Sequence, residues 1–452
     1  MDKARIKYVP TFCASLGIFL LAGAVAVCMG LERGGPVDRG GIAAILLVLA
    51  GLSVFLLHRE GFKGDRFLVM LLPIGAAFLI RALCLDYAGL DYTSALSRWY
   101  LYFKENGGFG AIAHSVGDYN VPYLYFIALI TYFPVPDLYL FKLFSLLFDV
   151  ALAWGCLRVV RRVRKGDGAD PAPLIAFGAA LLLPVVVLNG AYWGQCDAIY
   201  GALALHAVAM LLEGKNKTSV ALMGLAFSFK LQSIFVLPLW GVLWLAKKVK
   251  FRELWVFPAT YLITILPAVL MGKPLKSILG VYFTQMTEYP ALVLNAPTVY
   301  QFIPVDLRAE LAEGQLASGL GVAGAAALVL ILLVLGFRLG DRLDRNLCMT
   351  MAVILCIGVP FLLPHMHERY YFLADIFTLC WACIHVRRLP VAVLTGCASF
   401  SGYFILLWSR DLGVVLYKDI ILFVMALVML AALFLSVGVL VGQLGEKTGN
   451  AG

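Results

Sequence analysis

A short polar stretch separates two long apolar runs in the last third of the chain. It reads Pro364-His365-Met366-His367-Glu368-Arg369-Tyr370-Tyr371. The flanking runs cover about residues 346–363 and 369–386, and each approaches the ~20 residues that a helix needs to cross a bilayer. An ionisable side chain at membrane depth costs roughly 2.5–3.5 kcal/mol on insertion scales, so it usually serves a substrate, an ion or a proton. The stretch therefore predicts a membrane fold with a functional site.

The composition of the whole chain agrees with a membrane fold. Of the 452 residues, 62% are hydrophobic and only 14% are charged, and the mean hydropathy is +0.91, which excludes an ordinary soluble domain. Apolar runs of near-spanning length recur throughout, so we expect an all-α polytopic membrane protein with about fourteen transmembrane helices. The predicted spans lie near residues 8–30, 41–57, 67–84, 138–159, 173–190, 196–212, 217–229, 230–247, 254–271, 318–337, 346–363, 369–386, 390–408 and 418–442.

The distribution of positive charge predicts the orientation of these helices. Most of the 36 lysines and arginines fall in alternate connecting segments, which the positive-inside rule assigns to the cytoplasm together with both termini. The parity requires that the apolar piece 121–135 lies in the outer interface instead of crossing. With this topology the polar clusters of the chain share the outer face, which predicts a site facing the outer compartment.

The first large outer loop combines carboxylates with aromatic rings. Such a mixture suits sugar recognition, because rings stack on pyranose faces and carboxylates accept hydroxyl hydrogens. A carboxylate of this loop is also a candidate general base for an acceptor hydroxyl. The alternative is an ordinary hydrated loop with interfacial aromatics. The candidate residues are Asp86, Asp91, Trp99, Asp118, Tyr119 and Asn120.

Two further polar clusters stand at the mouths of predicted hairpins. Gln195 and Asp197 follow Trp193, and Asp197 is equally suited to capping the next helix. Lys230 and Gln232 fall between two apolar helices, where a phosphate, a carboxylate or snorkelling to the interface would satisfy the ammonium. These residues are candidates for binding a sugar, an acceptor or a phosphate.

The stretch quoted first supplies further candidate groups for a phosphate. Arg369 offers a planar fork that engages two phosphate oxygens, and His365 and His367 offer additional donors. Glu368 is a candidate for sugar or acceptor binding. The two histidines and Glu368 could instead hold a divalent metal with an aspartate of the first loop, so a metal is possible although no cofactor is firmly predicted.

The ordered motifs of this chain resemble those of the multi-spanning GT-C glycosyltransferases. They are Asp91-Tyr92 followed by Trp99, Asp118-Tyr119-Asn120-x-Pro122-Tyr123, Trp193-Gly194-Gln195-x-Asp197, Phe229-Lys230-x-Gln232 and His365-x-His367-Glu368-Arg369. The set is most similar to the prokaryotic group related to the second GPI mannosyltransferase, and also resembles the dolichol-pathway glucosyltransferases. The latter have Lys where this chain has Arg369.

The resemblance implies an inverting transfer of one sugar from a polyprenyl-phosphate donor. It implies that an aspartate of the first outer loop is the base; Asp91 matches best, Asp86 is its rival, and Asp118 matches a second acidic position. The phosphate would be bound by Lys230, Arg369, His365 and His367. The resemblance covers about residues 81–386. Because no polar block is large enough to be a soluble domain, we expect one integral domain over 1–452, with two extra helices in 1–64, a core in 65–386 that has outer loops 85–137 and 272–317, and C-terminal helices in 387–452.

The sequence thus favours a hexosyltransferase, with mannose as the preferred sugar, over a transporter or lipid flippase. A scaffold subunit of a larger complex is a third alternative. The expected partners are the lipid-linked donor, a lipid-linked or cell-envelope glycan acceptor and membrane lipids, with no nucleic acid. We expect a monomer in the plasma membrane of a prokaryote.

Overall fold

The computed structural model describes residues 3–165, 170–287, 291–308 and 312–449. The chain divides into two compact units, one formed by residues 1–202 and 265–278, the other by residues 203–264 and 279–452. Almost all regular structure is helical, as the sequence predicts. The first eleven helices are α1 Lys3–Met29, α2 Pro36–Arg59, α3 Asp65–Cys84, α4 Ser97–Glu105, α5 Val121–Ile130, α6 Asp137–Arg164, α7 Ala172–Leu182, α8 Pro184–Val187, α9 Asp197–Leu212, α10 Asn216–Phe229 and α11 Pro238–Leu245.

The remaining elements lie mostly in the second unit. They are α12 Phe251–Leu254, α13 Val256–Leu270, α14 Leu275–Thr287, α15 Ala312–Leu339, α16 Arg345–Leu362, α17 Phe372–Ile384, α18 Leu389–Trp408, α19 Lys418–Gly449 and the strands β1 Val293–Leu294 and β2 Met366–His367. The two strands pair in parallel. Short 3-10 and π-helical turns connect many of the helices.

The helices of the first unit pack around α6, which is buried along most of its length. The closest helix crossing in this unit is between α1 and α3, where Gly17 faces Gly75. A Cβ atom on either glycine would collide with the backbone of the opposing helix. Small residues at such a crossing let two membrane helices approach closely, as is common in bilayers.

The second unit is built around α16. Nearly every residue of this helix is buried. It contacts α11, α15, α17 and α19, and α18 packs against α17 and α19. A helix that is apolar all round is expected at the centre of a membrane bundle, because each of its faces contacts another helix. The polar loop 363–371 follows directly from the end of this central helix.

The described residues contain nine helices that are long and apolar enough to cross a membrane, and ten if the bent pair Ala172–Leu182 and Pro184–Trp193 is one span. The other four predicted spans coincide with shorter elements. Helices α9, α10 and α17 have 16, 14 and 13 residues, and the run 230–247 is a 3-10 turn followed by α11. The polytopic fold is confirmed, whereas spanning by these four elements stays a prediction.

Helix α5 is the piece predicted to lie in the outer interface. Its rings pack against protein in the first unit: Tyr123 is buried, and the ring of Phe126 stacks on that of Phe144 in α6, with centroids 3.7 Å apart. Tyr125 accepts a hydrogen bond from the backbone N–H of Ala268 at 2.9 Å. The helix is therefore held mainly by neighbouring helices.

Candidate functional site

Three of the sequence-predicted site residues form one hydrogen-bonded network in the first unit. The Nε2 atom of Gln195 donates to Oδ2 of Asp91 at 2.5 Å, and the phenol of Tyr119 donates to Oε1 of Gln195 at 3.2 Å. These residues come from the two ends of the first polar loop and from the turn before α9. The network places a half-buried carboxylate in a defined orientation.

Two π-helical segments lie next to Asp91 and Gln195 in the sequence. Residues Tyr92–Leu96 form the first, directly after Asp91, and residues Leu188–Trp193 form the second, two positions before Gln195. A π-helical turn is rarer than an α-helical one and is frequent at functional sites. The described residues contain these two π-helical segments, and each lies next to one partner of the Asp91–Gln195 hydrogen bond.

Two aromatic rings contact the ring of Tyr119, and a second carboxylate, that of Asp118, precedes it in the sequence. The rings of Trp99 and Tyr119 meet edge to face with centroids 5.7 Å apart, and Tyr123 lies 4.8 Å from Tyr119. Asp118 is exposed, but the groups around it still remove part of its hydration and raise the pKa of its carboxyl above the ordinary value. The arrangement offers ring faces and a carboxylate to a sugar.

Asn120 and Asp197 have local structural partners. The side chain of Asn120 accepts a hydrogen bond from the N–H of Val121 at 2.8 Å and so caps α5. Asp197 accepts from Nδ2 of Asn189 at 2.6 Å, while its own N–H donates to Oδ1 of Asn189 at 3.1 Å. Both side chains are buried. In these contacts the amide oxygen of Asn189 accepts the first N–H of α9, and the Asp197 carboxylate is bonded to the Asn189 side chain.

Asp86, the rival candidate for the base, is tied to neighbouring segments. Its carboxylate accepts the Tyr139 hydroxyl at 2.6 Å and the backbone N–H of Glu32 at 3.2 Å. It thereby fastens the loop between α1 and α2 to the start of the first polar loop. The Asp86 carboxylate therefore has a structural role in the first unit.

The structure also contains polar residues that the sequence reasoning missed. Lys142 and Ser145 of α6 are buried and bond to backbone carbonyls of the segments that carry Asp91 and Gln195. Asn189, the partner of Asp197, was missed as well. The one available signal was Lys142, a lone ammonium inside a predicted span, because charged groups there commonly have a functional partner.

In the second unit, Lys230 lies where the helical run breaks. α10 ends at Phe229, Lys230 is in extended conformation, and a 3-10 turn follows over Leu231–Phe235. Both Lys230 and Gln232 are buried. The Oε1 atom of Gln232 is buried without a hydrogen-bond partner among the described residues, which marks it as an acceptor available to a donor group.

The stretch from His365 to Arg369 is fixed by its pairing with residues 291–295. His365 adopts a positive φ of 60°, and its Nδ1 lies 2.9 Å from the carbonyl oxygen of Ala291. His367 pairs with Leu294 in the two-stranded parallel ladder. The two histidines are thus placed by backbone pairing, which the sequence did not reveal.

Glu368 is buried beside Arg369 and His367 and does not face solvent. Arg369 donates to its Oε1 at 3.2 Å, and Nδ1 of His367 lies 3.8 Å from its Oε2. Burial raises the pKa of the Glu368 carboxyl, but His367 and Arg369 outweigh burial and leave the pKa below its ordinary value. A lowered folded-state pKa means that the ionised cluster stabilises the fold above the unfolded pKa, and this stability is lost as the pH falls through the folded value.

A close helix contact holds Glu368 in place. A Cβ atom at Gly402 in α18 would lie 2.8 Å from the carbonyl oxygen of Asn295 and 2.9 Å from Cβ of Glu368. Because the first of these neighbours is backbone, a side-chain rotation alone cannot relieve the clash. Only glycine fits between α18 and the paired segments.

We expect Gly402→Ala to lower the stability of the protein by about 1–3 kcal/mol, the usual effect of overpacking. The matched control is Gly396→Ala on the same helix, where a Cβ would meet nothing within 4 Å. Alanine there should leave the melting temperature unchanged or raise it, since glycine is about 1 kcal/mol worse than alanine inside a helix. Thermal unfolding of both variants in detergent measures the difference, and equal melting temperatures would refute the close contact.

The metal site that the sequence left open has no preformed ligand cluster in the described part of the chain. No three His, Cys, Asp or Glu side chains among those residues approach closely enough to hold an ion. His365 is bound to a backbone carbonyl oxygen, and Glu368 is bound to Arg369.

Comparison with protein families decides the class of the chain. The family described as Glycosyltransferase family 87 matches residues 119–364, which is more than half of the chain. The chain belongs to this family. The GT-C resemblance is thereby confirmed, because family 87 is a GT-C type family. Comparison with curated proteins gives no match.

The family 87 match covers part of the candidate site of this glycosyltransferase. It includes Tyr119, Gln195 and Lys230, and it ends just before His365. Asp91 lies before the matched segment. Membership establishes a membrane glycosyltransferase that uses a sugar donor and an acceptor, and it favours an enzyme over a transporter, a flippase or a scaffold.

Proposed function

We propose that this glycosyltransferase moves one hexose, with mannose favoured, from a polyprenyl-phosphate donor to a lipid-linked or cell-envelope glycan. The hydrogen bond from Gln195 to Asp91 is the observation that carries the proposal. It orients the carboxylate in a network that includes Tyr119, whose ring contacts that of Trp99, as expected for a base that acts on a sugar hydroxyl. Asp118 and Asn120 flank Tyr119 in the sequence.

In the proposed reaction, the carboxylate of Asp91 takes the proton of an acceptor hydroxyl. The acceptor oxygen then forms a bond to the anomeric carbon of the donor sugar, and the bond from that carbon to the phosphate oxygen breaks. The electron pair leaves with polyprenyl phosphate, and the anomeric configuration inverts. Holding the attacking hydroxyl beside an oriented base supplies much of the rate enhancement.

The charges of the second unit support its role in binding the donor phosphate. Arg369 presents a guanidinium on a loop fixed by the buried carboxylate of Glu368, and His365 and His367 are fixed on the same loop. Lys230 adds a buried ammonium at the break after α10. Cationic groups that are already in place stabilise the negative charge that develops on a leaving phosphate. The orphaned amide oxygen of Gln232 is suited to accept a sugar hydroxyl hydrogen.

The proposed setting is the outer face of a prokaryotic plasma membrane, with both termini cytoplasmic and the protein acting as a monomer. The positive-inside distribution of lysine and arginine supports this orientation. Single cysteines introduced at the two termini and in loop 85–137 test it in intact cells. A membrane-impermeant maleimide should label the loop and leave both termini unlabelled.

A transfer assay with purified protein tests the reaction. Protein in lipid nanodiscs is incubated with radiolabelled polyprenyl-phosphate-mannose and with lipid extracts as acceptors. Parallel reactions contain polyprenyl-phosphate-glucose or GDP-mannose. Transfer from a polyprenyl-phosphate sugar alone supports the proposal, whereas transfer from GDP-mannose without a polyprenyl carrier would exclude it. The stereochemistry of the product, read by NMR, must be inverted.

A further inference from the structure

One helix of the first unit carries buried polar side chains on successive turns. Tyr139, Lys142 and Ser145 of α6 are each 1% exposed or less. Residues three apart on a helix are neighbours along its surface. A buried ammonium or hydroxyl needs hydrogen-bond partners, since burial without them is costly. All three side chains find partners in segments outside α6.

The partners of Lys142 and Ser145 lie in the two segments that carry the Asp91–Gln195 hydrogen bond. The ammonium of Lys142 donates to the carbonyl oxygens of Cys84, Leu85 and Tyr87 at 2.7, 3.0 and 2.7 Å. The hydroxyl of Ser145 donates to the carbonyl oxygen of Gln195 at 2.6 Å. α6 therefore holds the start of the Asp91 loop and the Gln195 turn at the same time.

The chemistry of the Gln195 amide fixes the direction of the hydrogen bonds at its end. An ionised carboxylate only accepts hydrogen bonds, so the amide must turn its NH₂ group toward Asp91. Its oxygen then faces the phenol of Tyr119, which donates to it. The NH₂ group of Gln195 therefore donates to Asp91, and its amide oxygen accepts a hydrogen bond from the Tyr119 hydroxyl.

We propose that Lys142 and Ser145 of α6 are positioning residues for the base, and that Ser145 acts on Asp91 through Gln195. This inference rests on the proposed function, because it takes Asp91 as the base. Neither residue touches the reacting atoms. Ser145 sets where the Gln195 amide stands, and Lys142 sets where the loop leading to Asp91 begins.

Loss of this positioning has a signature that ordinary destabilisation lacks. A variant that only lowers the fraction of folded enzyme reduces the rate by the same factor whether or not the Gln195 side chain is present. A variant that acts through Gln195 loses most of its effect on kcat once that side chain has been removed.

The decisive variant is Ser145→Ala in the full-length protein. We expect kcat to fall about tenfold with the donor KM unchanged, since a misplacement of ~1 Å can reduce rates about a hundredfold. The matched control is Ser53→Ala in α2, a buried serine whose hydroxyl bonds only to Leu49 of its own helix. This control should have wild-type kinetics.

A double-mutant cycle with Gln195→Ala shows whether the effect passes through Gln195. In the Gln195→Ala background, adding Ser145→Ala should change kcat by less than about twofold, because coupled residues are not additive. Full additivity of the two substitutions would overturn the inference. If Asp91→Asn remained fully active, the proposed function itself would fail. An inactive Asp91→Asn together with a wild-type Ser145→Ala would overturn the positioning inference alone.

Discussion

Replacing Asp91 by asparagine is expected to lower the kcat of sugar transfer about a thousandfold, within the range for loss of a general base. Asparagine has nearly the same shape as aspartate, and its amide oxygen can still accept the hydrogen bond from Gln195. The network of the first unit therefore stays in place, while the group that takes the acceptor proton is lost. The donor KM should change little. Initial rates at saturating acceptor, together with the melting temperature, measure both effects.

Two further aspartates of the same loop serve as controls for Asp91. Asp86→Asn keeps an acceptor for the Tyr139 hydroxyl, so we expect a loss of about 1 kcal/mol in stability and less than about tenfold in kcat. Asp118→Asn should raise the acceptor KM without removing turnover. If Asp118→Asn lowers kcat about a thousandfold and Asp91→Asn does not, the base is Asp118. The raised pKa of its carboxyl also suits proton abstraction.

The helical membrane fold could be predicted from the sequence because hydrophobic runs in a bilayer have little alternative to helices. The nine long apolar helices of the described residues, or ten with the bent pair, follow from this constraint. The same constraint does not determine whether α9, α10 and α17 span the membrane. Their apolar runs are shorter than a bilayer crossing, and only packing within a unit decides how such helices lie.

The candidate polar residues could be selected from the sequence, but their hydrogen bonds could not be predicted from it. The polar clusters were visible because charged and amide groups stand out among apolar runs. The pairing of Gln195 with Asp91 joins positions 104 residues apart, and no local pattern records such a contact. Likewise, Glu368 looked like a sugar ligand in the sequence, whereas in the structure it is buried beside Arg369.

Replacing Arg369 by glutamine is expected to lower kcat by about a hundredfold to a thousandfold, the usual effect of removing one group that stabilises developing charge. The proposed leaving group is a phosphate, and the guanidinium neutralises it as the bond to the sugar breaks. Arg369→Lys is the conservative control. It keeps the charge without the planar fork, so we expect it to retain activity within about tenfold of the wild type. Rates with the polyprenyl-phosphate donor measure both variants.

The Arg369→Gln variant also removes the guanidinium that pairs with the buried Glu368 carboxylate, which should destabilise the second unit. The double variant Glu368→Gln/Arg369→Gln separates this structural effect from catalysis. Removing both charges should restore most of the lost stability, because no uncompensated carboxylate then remains buried. The transfer rate should stay low, since the cation for the phosphate is still missing. If the rate recovered together with the melting temperature, Arg369 would act only by neutralising Glu368.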